Sequence, residues 1–119
     1  MKTWAVVGLG NNPDRAAFGV AKLLQDRGHR IIPVYPRAEI VHGEIGYKTL
    51  EEIPGPVDVV DCFVNSSLVG KVVDQAIAIG AKGVWLQLDV IDEEAVTRAQ
   101  AAGLLTIMNR CPAIEYRSR

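Results

Sequence analysis

The stretch Val6-Val7-Gly8-Leu9-Gly10-Asn11-Asn12-Pro13-Asp14-Arg15 decides the fold of this chain. It follows an apolar, β-branched run and opens a segment with helical spacing of apolar residues. A strand, a glycine-rich turn and a helix in this order place bare backbone amides at a helix N-terminus, where phosphate groups bind. Gly8 and Gly10 let the backbone turn tightly and approach a pyrophosphate. Since Pro13 stands at the third glycine of G-x-G-x-x-G, a plain strand-to-helix turn is the alternative.

The rest of the chain alternates in the same way. Apolar runs predict five strands, at residues 3–9, 30–35, 57–63, 83–88 and 104–108. Helices are predicted over 15–27, from Ser66 or Ser67 as cap to 79, and from Asp92 as cap to 102. Such alternation implies a parallel sheet with helices on both faces. We therefore predict a single Rossmann-like α/β domain, with a five-stranded parallel sheet, spanning residues 1–119.

Composition narrows the classes of partner. With 13 basic and 14 acidic residues, the chain lacks the basic excess of a nucleic-acid or anionic-membrane surface. Its apolar runs are shorter than the ~20 residues of a membrane helix, and a strand begins too early for a signal peptide. Cys62 and Cys111 lack metal-ligand spacing. We expect a cytoplasmic protein with no nucleic-acid partner, no membrane partner and no metal site.

In open parallel sheets the ligand lies outside the carboxyl ends of the strands. The candidate binding residues are therefore those that follow each predicted strand. They are Gly8, Gly10, Asn11, Asn12 and Arg15 after the first strand, Pro36 and Arg37 after the second, Val64 and Asn65 after the third, Gln87 and Leu88 at the end of the fourth, and Asn109 and Arg110 after the fifth.

Arg37 points to the kind of nucleotide. It stands where NAD-binding domains usually carry an acid that binds the ribose hydroxyls. A guanidinium group there pairs with phosphate instead, which indicates a nucleotide with an extra phosphate on its sugar. Coenzyme A is the first candidate and NADP the second. Arg15 and Arg110 are either further phosphate ligands or surface ion-pair residues. The side-chain amides of Asn65 and Asn109 can form hydrogen bonds with the edge of an adenine or with an amide of pantetheine. The alternative is that they stabilise a turn or cap a helix.

No catalytic residue is assigned. The sequence offers no convincing acid–base pair, and Cys62 falls inside a predicted strand, as a small core residue does. Cys111 lies on the ligand side of the predicted sheet beside Arg110, so a reactive thiol is an open option there. The residues alone therefore give no support for a catalytic role.

The order and spacing of several segments point to a family. They include residues 6–15, 20–24, 32–37, 43–54 and 56–61. Two pairs of segments are the most specific. One is Ala76-Ile77-Ala78-Ile79-Gly80-Ala81-Lys82 with Val84-Trp85-Leu86-Gln87, and the other is Asn109-Arg110-Cys111-Pro112 with Ile114-Glu115-Tyr116. Over nearly its full length the chain resembles the small single-domain CoA-binding protein family, which shares its fold with the CoA-binding domain of succinyl-CoA synthetase.

The resemblance implies CoA or an acyl-CoA as ligand, lying across the carboxyl edge of the sheet. The pyrophosphate would lie at residues 8–12 and the ribose 3′-phosphate at Arg37. The loops that begin at Phe63, Gln87 and Asn109 would line the adenine and pantetheine path. Members of the family are binding modules rather than enzymes. This chain departs from many members at Gly10, at Ala16-Ala17 and at Val64-Asn65, and the last pair replaces arginines.

Three alternatives stay open at this point. One is an NADP-linked redox enzyme or sensor, for which Arg37 is equally suitable but a second domain is missing. Another is a Rossmann scaffold without a ligand that acts as an interaction module, with a homo-oligomer among the options. In the third, Cys111 forms a mixed disulfide with the thiol of CoA.

Overall fold

The structure is a computed structural model that describes residues 3–112. Its five strands are β1 (Thr3–Val7), β2 (Arg30–Val34), β3 (Val59–Cys62), β4 (Gly83–Leu86) and β5 (Leu105–Ile107). The helices are α1 (Ala16–Asp26), α2 (Ser66–Ala78), α3 (Glu93–Ala101) and a short 3₁₀ turn at Leu50–Glu52. Residues 114–116, which contribute to the family resemblance, lie outside the described part of the chain.

The strands form one sheet in the order β2-β1-β3-β4-β5, and every neighbouring pair is parallel. This confirms the predicted five-stranded parallel sheet. Because the chain runs outward from β1 to β2 and then returns to β3, the strand order reverses between β1 and β3. The carboxyl ends of these two strands therefore form a topological switch point, where open α/β sheets bind ligands.

Helices cover both faces of the sheet, as predicted. Strand side chains alternate between the faces, so Val59 packs in the layer under α1 and Val60 packs in the layer under α2 and α3. Leu24 of α1 and Val73 of α2 are fully buried in their respective layers. Most polar side chains therefore lie outside these two layers, although Asp61 of β3 is a buried exception.

One of the two predicted helix caps is correct. The side chain of Asp92 accepts a hydrogen bond from the amide of Ala95 and caps α3. The prediction that Ser66 or Ser67 caps α2 is wrong, because Asn65 occupies the cap position and makes no side-chain cap bond. Ser66 Oγ instead donates to the carbonyl of Asp89 and accepts from the amide of Ile91, which joins the start of α2 to the loop after β4.

The irregular segment after β2 folds back along that strand. The amide of Tyr35 donates to the carbonyl of Tyr47 at 2.9 Å, and the amide of Tyr47 donates to the carbonyl of Pro33 at 2.9 Å. This pairing extends the hydrogen bonding of the sheet beyond its outer strand. It also brings Lys48 and Thr49 to the carboxyl end of the sheet, which the sequence did not predict.

Candidate functional site

A cleft of about 690 Å³ opens at the carboxyl ends of β1, β2, β3 and β4. It begins at the switch point, between the first turn of α1 and the exposed face of α2. Eight of the residues predicted for binding border it: Gly8, Arg15, Pro36, Phe63, Val64, Asn65, Gln87 and Leu88. The structure therefore brings together groups from four loops that are far apart in sequence.

A second cavity of about 360 Å³ adjoins the first, and Gly8, Arg15 and Tyr35 border both. Its other lining residues are Gly10, Asn11, Asn12, Arg37 and Glu39. The glycine-rich turn and the basic turn after β2 thus face the same small polar space. Tyr35 and Glu39 were not among the predicted binding residues.

Positive charge is concentrated in the cleft. Arg15, Lys48 and Lys71 border it, and no carboxylate occurs among its described lining residues. The whole chain has a formal net charge of −1, so this excess is local. A cavity lined by one sign of charge raises the local concentration of the opposite ion, which favours an anionic ligand.

Two helix N-termini reinforce this field. The cap positions of α1 and α2, Arg15 and Asn65, make no side-chain cap bond, and neither helix has an acidic residue in its first turn. Helix α3, by contrast, is capped by Asp92 and begins with Glu93 and Glu94. First-turn amides have no partner within their own helix and carry the positive end of its dipole. Both uncapped ends border the cleft.

The two glycines of the turn are needed for internal packing. Gly8 has a φ of +99°, and a Cβ there would collide with the carbonyl oxygen of Phe63. At Gly10 a Cβ would lie 2.8 Å from Oε1 of Glu39 and 3.2 Å from the ring of Tyr35. The sequence analysis attributed these glycines to the approach of a pyrophosphate. The structure shows a different requirement, which is room for neighbouring loops.

Two asparagines brace the glycine-rich turn. Nδ2 of Asn11 donates to the carbonyl of Ile40 at 2.6 Å, and its backbone amide donates to Oε1 of Glu39 at 3.0 Å. Oδ1 of Asn12 accepts from the amide of Asp14 at 3.0 Å. The turn is thereby tied to the segment that follows β2. Its amides are partly satisfied by the chain itself.

A buried polar pair lies at the inner end of the cleft. Nε2 of Gln87 donates to Oδ1 of Asp61, while Oδ2 of Asp61 has no partner among the described residues. Burial raises the pKa of Asp61 to about 8, against the opposing effect of the Gln87 hydrogen bond. Burial, and then the charge of Asp61, also raise the pKa of the Cys62 thiol, which keeps it protonated. Cys111 is half-buried and borders the cleft.

Asn109 and Arg110 border neither cavity. Asn109 has a φ of +61°, and its Oδ1 accepts a hydrogen bond of 2.7 Å from the amide of Asp89. The carbonyl of Arg110 accepts from Nε1 of Trp85 at 2.8 Å. The first of these bonds joins the loops after β4 and β5, and the second joins the loop after β5 to β4 itself. The side chain of Asn109 thus takes the turn-stabilising role that the sequence analysis gave as its alternative.

Comparison with known proteins settles the family. A model of the CoA binding domain matches residues 2–117 of this chain. The chain belongs to the CoA-binding domain family. Within residues 3–112, this CoA-binding domain contains no helix with the length and apolar character needed to cross a membrane. In the same range, no three His, Cys, Asp or Glu side chains are grouped so that they could hold a metal ion.

This CoA-binding domain matches most of the length of some relatives and only a small part of another. The uncharacterised protein YneT of Bacillus subtilis is 36% identical over 115 residues, which is 97% of this chain and 85% of that protein. A hypothetical protein of Pyrococcus horikoshii has a structure with a TM-score of 0.93 and 39% identity, covering 98% of this chain and 82% of that one. The alpha subunit of an ADP-forming acetate–CoA ligase of Pyrococcus furiosus is 36% identical over 81 residues, which is 67% of this chain but only 18% of that subunit.

Sequence reasoning missed part of the cleft. Lys48 follows an irregular segment whose pairing with β2 no periodicity predicts. Lys71 was readable in principle, because Leu68, Lys71, Val72 and Gln75 have the i, i+3, i+4, i+7 spacing of one helix face, and all four border the cleft. A charged residue beside apolar ones on that face was the available signal.

Proposed function

We propose that this CoA-binding domain holds coenzyme A or an acyl-CoA in the cleft at the carboxyl edge of its sheet, as a binding module without chemistry of its own. The observation that carries the proposal is the cationic cleft. Arg15, Lys48 and Lys71 border it without a carboxylate among the described lining residues, beside two uncapped helix N-termini. CoA brings a pyrophosphate and a 3′-phosphate, which such a site attracts.

The shape of the site also supports a long ligand with a polar end and an apolar end. Val64, Leu68, Val72 and Leu88 form an apolar stretch of the cleft, and Leu68 and Leu88 are about half exposed, at 51% and 48%. A pantetheine arm or an acyl chain would cover these side chains and gain from their removal from water. The pyrophosphate would lie at the first turn of α1, near Arg15.

Arg37 supports a separate position for the sugar phosphate. It borders the second cavity, which joins the cleft at Gly8, Arg15 and Tyr35. A ligand that places its pyrophosphate at α1 would reach this cavity with its phosphorylated ribose. The planar guanidinium group binds phosphate through paired hydrogen bonds.

The lack of a catalytic role is proposed from the chemistry of the cleft wall. Its described residues include no histidine and no carboxylate that could act as a general base. Asp61, whose hydrogen-bond partner Gln87 borders the cleft, is itself fully buried.

The test is a thermal-shift series with CoA, acetyl-CoA, dephospho-CoA, NADP and NAD at matched concentrations. A ligand at 100 times its dissociation constant stabilises the fold by ~2.7 kcal/mol, which raises the midpoint by several degrees. We expect a shift with CoA that becomes smaller with dephospho-CoA. A larger shift with NADP, together with turnover of a carbonyl substrate, would favour a redox role. No shift with any ligand contradicts the proposal.

A further inference from the structure

The second cavity contains two cations and one carboxylate that do not pair with each other. Arg15, Arg37 and Glu39 all border its 360 Å³. Neither guanidinium group makes an ion pair with any residue of the described range, and Glu39 makes none either. Oε1 of Glu39 instead accepts a hydrogen bond of 3.0 Å from the backbone amide of Asn11. The cavity therefore presents opposite charges to whatever enters it.

The position of Glu39 is fixed by the glycine-rich turn. Gly10 leaves the space that the carboxylate occupies, since a Cβ there would lie 2.8 Å from Oε1. Nδ2 of Asn11 binds the next carbonyl, that of Ile40, at 2.6 Å. These contacts engage Oε1 and leave Oε2 without a hydrogen bond within the described part of the chain. Glu39 is a prepared acceptor for a donor group on a ligand.

A phosphate alone does not match this arrangement. The arginines attract a phosphate monoester, but at neutral pH it is mostly dianionic, so it repels the carboxylate and has no proton to donate to Oε2. A ribose that carries a phosphate on one hydroxyl and a free hydroxyl on the neighbouring carbon matches both charges. The phosphate pairs with the guanidinium groups, and the hydroxyl donates a charge-assisted hydrogen bond to the carboxylate.

We infer that Glu39 is a specificity-determining residue, which accepts a hydrogen bond from the free ribose hydroxyl beside the phosphate bound by Arg37. The second cavity thereby selects a phosphorylated ribose over phosphate in other contexts. This inference rests on the proposed function, and it adds a polar acceptor to a site that was predicted to be basic.

The experiment is calorimetric titration with adenosine 3′,5′-bisphosphate and 2′-deoxyadenosine 3′,5′-bisphosphate, which differ only in the 2′-hydroxyl. We expect the wild-type chain to bind the ribose form about tenfold more tightly, or 1.4 kcal/mol. In Glu39→Gln the amide oxygen still accepts from Asn11, but the free group becomes a neutral donor. The preference should then fall below about threefold, because a charge-assisted bond is lost. Glu51→Gln is the control, since it removes the same charge from an exposed residue that borders neither cavity.

Three outcomes overturn the inference. One is equal binding of the two nucleotides by the wild-type chain, which needs no variant to measure. Another is an unchanged preference for the ribose form in Glu39→Gln. This includes the case in which both nucleotides bind more tightly by the same factor, because Glu39 then does no more than repel phosphate. The third is a fall of the same size in the Glu51→Gln control. Titration of the wild-type chain with CoA separates the two proposals. If CoA binds and the nucleotides bind equally, only the inference fails; if CoA and both nucleotides fail to bind, both proposals fail.

Discussion

Gln87 donates a hydrogen bond from its side-chain amide to Oδ1 of Asp61, and thereby joins a residue of the cleft wall to a carboxyl group that has no exposure to solvent. Asp61 lies on the central strand β3, with Val6 of β1 and Trp85 of β4 as its register partners. A carboxyl group in this position is costly to ionise. The cleft therefore has a neutral acid beneath it at neutral pH.

Asp61 should make the stability of the fold depend on pH. Burial raises its pKa from 3.8 to about 8, so the folded chain holds a proton that the unfolded chain releases. This contribution is fully present below pH 3.8 and is lost as pH rises through about 8. We expect the free energy of unfolding of the wild-type chain to fall relative to Asp61→Asn by up to about 1.4 kcal/mol per pH unit in this interval. Urea unfolding of both chains at pH 5 and at pH 8 measures it, and parallel pH dependence would contradict it.

Gly8 should tolerate alanine much less well than Gly28 does. Both have positive φ, +99° and +93°, but a Cβ at Gly28 meets nothing within 4 Å, whereas at Gly8 it collides with the carbonyl of Phe63. Gly28→Ala should cost about 1–2 kcal/mol from backbone strain alone. Gly8→Ala should cost at least about 3 kcal/mol, because β1 and the loop after β3 must also separate. Chemical denaturation of both variants measures the difference. Equal losses in the free energy of unfolding would show that the loop after β3 moves away from the new Cβ without a cost in stability.

Lys71 should contribute to the affinity for CoA. Lys71→Gln removes one of the three cations of the cleft, and we expect roughly tenfold weaker CoA binding at low salt, with a smaller effect at high salt. Lys22→Gln is the matched control, because Lys22 pairs with Asp26 on the exposed face of α1 and borders neither cavity. Calorimetric titration at two ionic strengths gives both values. If both variants lose the same amount of CoA affinity, the effect comes from the net charge of the protein and not from the position of Lys71.

Arg37 should discriminate between CoA and dephospho-CoA. Arg37→Ala removes a charge-assisted hydrogen-bonding partner of the 3′-phosphate, worth roughly 1.5–3 kcal/mol. Its effect on CoA should therefore be about ten to a hundred times larger than its effect on dephospho-CoA. The measurement is the ratio of the two dissociation constants in each chain. If the ratio is the same in the variant as in the wild-type chain, the 3′-phosphate does not bind at Arg37.

Much of the fold could be predicted because it depends on local patterns. Short β-branched apolar runs such as Thr3–Val7 are typical of buried strands, and Asp92 with the two glutamates after it is a sequence signature of a helix start. The cap of α2 was harder to predict. Ser66 is a good capping residue, but its hydroxyl is engaged by the loop after β4, 23 and 25 residues away along the chain. The capping propensity of a residue type does not take into account a hydrogen-bond partner from a distant segment.

The sequence by itself determined the alternation of strands and helices, the parallel sheet and the glycine-rich turn at the end of β1, because these follow from periodicity and backbone sterics within short segments. It also indicated Arg37 as a candidate phosphate ligand. Only the tertiary structure decided that Lys48 and Lys71 border the same cleft, that Gly8 makes room for Phe63, and that Glu39 occupies the space beside Gly10. These are contacts between segments distant in sequence, and their geometry is set by how the sheet and its loops pack together.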